Sequence, residues 1–509
     1  MSSPLAPFGL ESAIPAAGTG RTFWAGAGPQ ATSLNPDTEE VISTFADASR
    51  AQTDDLIAAA KAGFAAWRTV PAPKRADVLH TFADALRRHR EDLARLMTLE
   101  TAKPLRESRA EIDDAIATAV YAAGLGRIVG GGQQFPSLRP GIELHEKWHP
   151  LGPVLIVTAF NFPLSLWAWN VCLAVVCGNS TVWKGAPQTP LMTVGAMKVV
   201  ADVLAKHPEV PEGVFCFING TLADVAAPLV ASPAFPLVSA TGSTAMGKKV
   251  GETVAKRLGQ CILELGGNAA GILTPSAPYE QALRTAFFAA TNNGGQRCTA
   301  LRRFLVHESL FDRTVARLKT AYQSWPAGDV FADTHRQPPL IDAAARDMFT
   351  HAIATVKKHP GLAELFAATK PLPNRGYYVT PHIAVLNADA PQPQEETFGP
   401  LLYVQPYRTF DEAVAKANGV PQGLGSGVFT RDLAEMQAFV GVTGSDAGVA
   451  SVNDNTGGIE VALAFGGNKE SGFGREKGSD SWKQYMRRLS VVLNPTDTVP
   501  DAAGINFGA

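Results

Sequence analysis

Two short segments of this chain carry residue types able to do covalent carbonyl chemistry. Glu264 stands in Leu-Glu-Leu-Gly-Gly-Asn (263–268), and Cys298 stands in Asn-Gly-Gly-Gln-Arg-Cys-Thr (293–299), thirty-four positions further on. A thiol can attack a carbonyl carbon, and a carboxylate can later activate water against the resulting thioester. Each half alone says little. A single cysteine is more often a small core residue than a nucleophile, and a Glu beside two glycines is more often a solvated loop end. As a pair they set a nucleophile in a small-residue loop and a base at the end of an apolar strand.

The elements that must position them read as alternating strands and helices. An unbroken apolar run at 154–158, ending in Ala-Phe-Asn-Phe-Pro (159–163), suits a buried parallel strand. Further strands are expected at 180–183, 213–219 and 237–240, with helices between them at 191–204 and 224–231. This is the pattern of a doubly wound nucleotide-binding sheet. A second alternation follows Glu264: a helix at 280–291, a strand at 302–307 and a helix at 310–325. Upstream, Val78, Leu79, Phe82, Leu86, Leu93 and Leu96 recur at helical steps, so 53–128 reads as mostly helical. Glycines at 130–132 break that pattern, and a short exposed strand is expected at 142–148. The tail reads as a helix at 481–488 and a strand at 489–493 with no obvious local partner, one that could pair with another subunit's sheet edge.

Thr241-Gly242-Ser243-Thr244-Ala245-Met246-Gly247 follows a predicted strand and opens a helix. Small residues there let a phosphate approach backbone N–H groups at the positive end of the helix. Lys184, ending another strand, can hydrogen-bond ribose hydroxyls in the crevice where such sheets bind ligands.

The chain has 509 residues, 46% hydrophobic and 18% charged, a globular composition long enough for roughly three domain-sized units. Its 45 basic and 47 acidic side chains nearly cancel, which argues against nucleic acid or an anionic membrane as partner. The five cysteines, an odd number without Cys-x-x-Cys spacing, suggest neither a disulfide scaffold nor a zinc site. No secretory signal is evident at the N-terminus, and the best membrane candidate, 164–177, is too short to span. The expectation is a cytoplasmic protein without metal.

These motifs resemble those of the aldehyde dehydrogenase superfamily, in its order and over nearly the whole chain from about residue 33: Ala-Phe-Asn-Phe-Pro, Trp-Lys-Gly-Ala-Pro (183–187), Thr-Gly-Ser-Thr, Glu-Leu-Gly-Gly-Asn, Gly-Gln-Arg-Cys, Glu-Thr-Phe-Gly-Pro (396–400) and Ser-Gly-Phe-Gly-Arg-Glu (471–476). The resemblance implies two doubly wound α/β domains, a Rossmann-type cofactor domain (1–129 and 150–262) and a catalytic domain (263–477). A small β oligomerisation arm (130–149 and 478–509) would join homodimers or homotetramers. It implies oxidation of an aldehyde to an acid, with Cys298 as nucleophile, Glu264 as hydrolytic base, and Asn161 with the Cys298 N–H as oxyanion hole. NAD, with NADP possible, would be held by Lys184, Gly242, Ser243, Thr244, Gly247, Glu396 and Phe398.

Within the superfamily the chain looks most like the antiquitin group, α-aminoadipic semialdehyde dehydrogenases. Trp183-Lys184-Gly185-Ala186-Pro187, Gln296-Arg297-Cys298-Thr299 and the run 478–488 carry this likeness. Asp114 stands where that group has a substrate-binding Glu, and Gly458-Ile459 stands where its anchoring loop has Gly-Ala. Arg297, Asp114, Phe162, Trp169, Gly458, Ile459 and Phe465 are the expected substrate contacts. A general aliphatic or aromatic aldehyde, a CoA-acylating reaction, and a catalytically silent protein on the same fold are the alternatives. Glu264 favours hydrolysis over CoA transfer, and the presence of all the catalytic residues argues against silence.

Overall fold

The computed structural model describes residues 3–497 together with Gly504 and Gly508. Five parallel strands form the middle of an eight-stranded sheet, in the spatial order Phe215–Ile218, Thr181–Lys184, Val154–Val157, Leu237–Thr241, Gln260–Glu264. In chain order this is 3-2-1-4-5, a doubly wound sheet whose direction reverses between Val154–Val157 and Leu237–Thr241. Antiparallel segments close its edges: Ala17–Gly18 and Phe23–Trp24 on one side, Gly472–Phe473 on the other.

Alternation along the strands explains the layers. Val154 and Ile156 face a core shared with the helices Ala72–Arg88, Leu105–Leu125, Ser165–Val176 and Pro190–Leu204. Leu155 faces the opposite core, with the helices Arg50–Trp67 and Thr244–Ala255. Burial on both faces is why these strands read as continuous apolar runs. The segment noted as the best membrane candidate is the buried helix Ser165–Val176 of 12 residues. Among the described residues no helix is long and apolar enough to cross a membrane.

A second sheet has seven strands: Leu362–Ala367, His382–Leu386, Leu401–Tyr407, Leu301–His307, Ala269–Leu273, Gly425–Phe429 and Val449–Val452, all parallel except the first. A third, antiparallel sheet runs Met486–Leu493, Glu143–Pro150, Gln133–Phe135.

That third sheet corrects two readings of the tail. The expected helix at 481–488 is a short 3-10 turn, Ser481–Tyr485, and the strand begins at Met486. Trp482 and Tyr485 bury at a three-residue step, which a 3-10 turn satisfies as well as an α-helix. The strand also has a partner in its own chain, pairing along its length from Met486↔Pro150 to Leu493↔Glu143. Its other edge is unpaired among the described residues. The last part of the expected arm, 498–509 apart from Gly504 and Gly508, lies outside the described residues.

Candidate active site

The switch point of the first sheet and the entrance to the second meet at Cys298. The helix Tyr279–Thr291 ends in a turn in which Asn293, Gly294 and Gly295 all take positive φ (50°, 63° and 77°). Asn and Gly tolerate this region best, so Asn-Gly-Gly is the sequence form of a tight reversal before the strand Leu301–His307. Gln296 pins the reversal: its amide donates to the Asn293 and Pro339 carbonyls, and its Oε1 accepts from the Ile341 N–H. Glu107 accepts from the Asn293 N–H at 2.7 Å.

Glu264 ends the last parallel strand of the first sheet, and the following Gly266-Gly267 passes against the nucleophile loop. A Cβ on Gly267 would lie 2.1 Å from the Cys298 carbonyl oxygen, and one on Gly266 would lie 2.6 Å from Glu396 Oε2. The two glycines therefore let three chain segments close on one another. Neither Glu264 oxygen has a hydrogen-bond partner among the described residues. Burial, then the charge of Glu476, hold its carboxyl well above the usual range, offset in part by Arg475 and the Gly467 N–H on its flank. Glu476 is itself raised to about 7 by burial, and it accepts from Thr241 Oγ1 at 2.8 Å and Asn170 Nδ2 at 3.1 Å.

Burial pushes the Cys298 thiol up to about 12, with Glu396 and Glu264 adding to the shift and Arg297 opposing it. Asn161, 5% exposed, follows the switch-point strand and donates its side-chain amide to the Gln296 carbonyl. Behind it, Lys103 donates to the Asn161 carbonyl and pairs with Glu111, whose other oxygen accepts from the Leu164 and Ser165 N–H groups.

At the other lobe of the switch point, Ser243 caps the helix Thr244–Ala255 by accepting from the Met246 N–H. Gly242 and Thr244 flank that cap. Gly247 faces inward, where a Cβ would lie 2.3 Å from Leu265, so its smallness serves helix packing. Lys184, 5% exposed, donates to the Gly185 carbonyl. Burial lowers its ammonium to about 8, while Asp47 opposes the shift. Glu396 Oε1 is buried without a hydrogen bond, 3.6 Å from Arg302, and burial raises its carboxyl to about 7. Phe398 meets Phe160 edge-on at 6.0 Å. A buried cation, a carboxylate oxygen without a hydrogen bond and a helix N-terminus around one crevice fit the hydroxyls and phosphates of a dinucleotide.

The aromatic residues expected to wall a substrate do converge. Trp169, Phe465 and Leu166 form a cluster against which Phe162, Ile459 and Cys298 pack. Gly458 sits in the turn before Ile459, donating to the Asn455 carbonyl. The Arg297 guanidinium lies 5.1 Å from the Phe162 ring centroid. Asp114 reaches this wall through Trp169 Nε1, which donates to it at 2.6 Å, but its other oxygen is paired with Lys477 at 3.1 Å. Lys477, Glu107 and the Lys103–Glu111 pair were not singled out from the sequence. They hold the site through contacts with chain segments far away in sequence, and no local pattern marks them.

A doubly wound sheet that opens its switch point onto a second sheet's thiol-bearing loop fits a class, the dinucleotide-dependent oxidoreductases. The aldehyde dehydrogenase family model matches residues 23–491, and the chain belongs to that family. It is 40% identical to aldehyde dehydrogenase family 7 member A1 of Pisum sativum, over 95% of this chain and 94% of that protein. It is also 40% identical to alpha-aminoadipic semialdehyde dehydrogenase of Rattus norvegicus, over 95% and 89%. A crystal structure of betaine aldehyde dehydrogenase from Staphylococcus aureus in complex with NAD+ superposes with a TM-score of 0.91 at 26% identity, covering 99% of both chains. The protein is an enzyme with the aldehyde dehydrogenase fold.

Proposed function

We propose that this enzyme oxidises an aldehyde with a polar or anionic far end to the carboxylic acid, using NAD, with α-aminoadipic semialdehyde as the leading substrate. The observation that carries this is the convergence of Cys298, the Glu264 strand end and the Asn161 amide at the switch point. The alpha-aminoadipic semialdehyde dehydrogenases among its relatives and the NAD+ in the neighbouring structure support the substrate and the cofactor.

In this reading the Cys298 thiolate adds to the aldehyde carbon, forming a C–S bond, and the carbonyl oxygen becomes an oxyanion. The second N–H of the Asn161 amide and the Cys298 N–H receive that oxyanion; a donor so placed is commonly worth about 3 kcal/mol in the transition state. When bound, the nicotinamide supplies the hydride acceptor. Lys184 and Glu396 would hold its riboses, and the N-terminus of the helix Thr244–Ala255, with Gly242 and Ser243, would hold phosphate. Glu264 then takes a proton from water, which attacks the thioester; the C–S bond breaks and the acid leaves. Residues 1–129 and 150–262 act as the cofactor domain and 263–477 as the catalytic domain.

The test is a screen of aldehydes with NAD, following reduced cofactor. Formation of acid without CoA supports the reading; a requirement for CoA contradicts it.

The sheet Met486–Leu493, Glu143–Pro150, Gln133–Phe135 serves as an oligomerisation arm of a cytoplasmic homodimer or homotetramer. Leu489, Val492, Leu493 and Phe135 are exposed on it, beside a strand edge unpaired among the described residues. Light scattering at micromolar concentration should give at least a dimer mass, and Val492→Glu should lower it. A monomeric wild type would contradict the arm's role.

A further inference from the structure

We propose that Lys477 determines specificity: its pairing with Asp114 behind Trp169 makes this a dehydrogenase of ω-oxo carboxylates that reads a substrate's carboxylate and gains little from an α-amino group. The inference rests on the aldehyde oxidation proposed above and names its substrate class.

Asp114 lies on the helix Leu105–Leu125 and has both oxygens engaged, one by Trp169 Nε1 at 2.6 Å and one by Lys477 Nζ at 3.1 Å. The Lys477 side chain is 2% exposed, and its ammonium lies 4.3 Å from the Trp169 ring centroid. Backbone bonding fixes it there, because the Phe465 N–H donates to the Lys477 carbonyl. A buried ammonium requires a partner, and Asp114 is that partner. The adjacent Glu476 turns the other way, to Thr241 and Asn170.

Trp169 and Phe465 are in the same cluster that Cys298, Phe162 and Ile459 pack against. A substrate ammonium arriving at this wall would meet a carboxylate already paired with Lys477 and hydrogen-bonded by Trp169. Arg297, stacked on Phe162, adds another positive charge. The Arg297 guanidinium beside Phe162 is the cation left to meet an anionic end, while Ile459 and the rings suit the methylenes between that end and the aldehyde.

The experiment measures kcat/KM with NAD for 6-oxohexanoate, 2-amino-6-oxohexanoate (as open-chain aldehyde) and hexanal, on the full-length wild type, Lys477→Met and Asp114→Asn. In the wild type, 6-oxohexanoate should be used at least as well as its amino analogue and about tenfold better than hexanal. Lys477→Met, which frees Asp114, should shift the ratio toward the amino analogue by about tenfold, and Asp114→Asn should shift it away. A wild-type preference for the amino analogue above about tenfold, or an unmoved ratio in a folded Lys477→Met that still binds NAD, would overturn the proposal. The wild-type ratio decides even where a variant does not fold. Hexanal used better than both charged aldehydes would overturn this inference and leave aldehyde oxidation standing. No reduced cofactor with any of the three would contradict the proposed function itself.

Discussion

The side-chain amide of Asn161 donates to the backbone carbonyl of Gln296 at 3.1 Å, joining the loop after the switch-point strand to the loop that carries Cys298. A carboxamide has two N–H groups, so one fixes the geometry and the other is left for the oxyanion of the proposed reaction. The Lys103–Glu111 pair, 1% and 0% exposed, braces the Asn161 loop from behind.

Asn161→Ala should therefore lower kcat by about 10²–10³-fold, the cost of losing one oxyanion donor, with little change in NAD affinity. Steady-state kinetics with a cofactor titration checks it; a loss confined to NAD binding would contradict the role.

The thiol should be a slow nucleophile in the free enzyme. With Cys298 raised to about 12, its thiolate fraction, and so its alkylation rate, should climb about tenfold per pH unit through the neutral and mildly alkaline range. Removing the Glu396 charge with Glu396→Gln should speed alkylation, and Arg297→Met should slow it. Iodoacetamide kinetics, with the modified cysteine identified by mass spectrometry, measures both; a rate that is flat with pH would contradict the environment described.

Much of the site was legible because its backbone demands particular residues. Positive φ at Asn293, Gly294 and Gly295 and the close approaches at Gly266 and Gly267 require glycine or asparagine, so the motifs mark the geometry. The sheet strands were readable because burial on both faces makes them apolar throughout. What escaped depends on long-range pairing: Lys477 meets Asp114 across 363 positions, and Met486–Leu493 meets Glu143–Pro150. The strands between His307 and the tail were not anticipated either. Several are short and rich in small residues, such as Gly425–Phe429, and gain their order from neighbours in the sheet.

NAD should be preferred over NADP. Lys184 is the lone cation in 184–187, and the nearby Asp47 carboxylate opposes a ribose 2′-phosphate. Pro187 offers no carboxylate for ribose hydroxyls, so the preference should be modest, about tenfold in kcat/KM. A ratio favouring NADP would contradict it.

The central claim is that Cys298 carries the acyl group and Glu264 releases it. Burial and the Glu476 charge raise the Glu264 carboxyl well above its usual range, so its base form grows as pH rises, and wild-type deacylation should quicken with pH. The most direct measurement mixes Glu264→Gln with aldehyde and NAD at high enzyme concentration, following reduced cofactor and the intact protein mass together. The account predicts a burst of about one equivalent of reduced cofactor, then near arrest, with an acyl adduct on the Cys298 peptide. Turnover at the wild-type rate, or a burst with no adduct on Cys298, would contradict it.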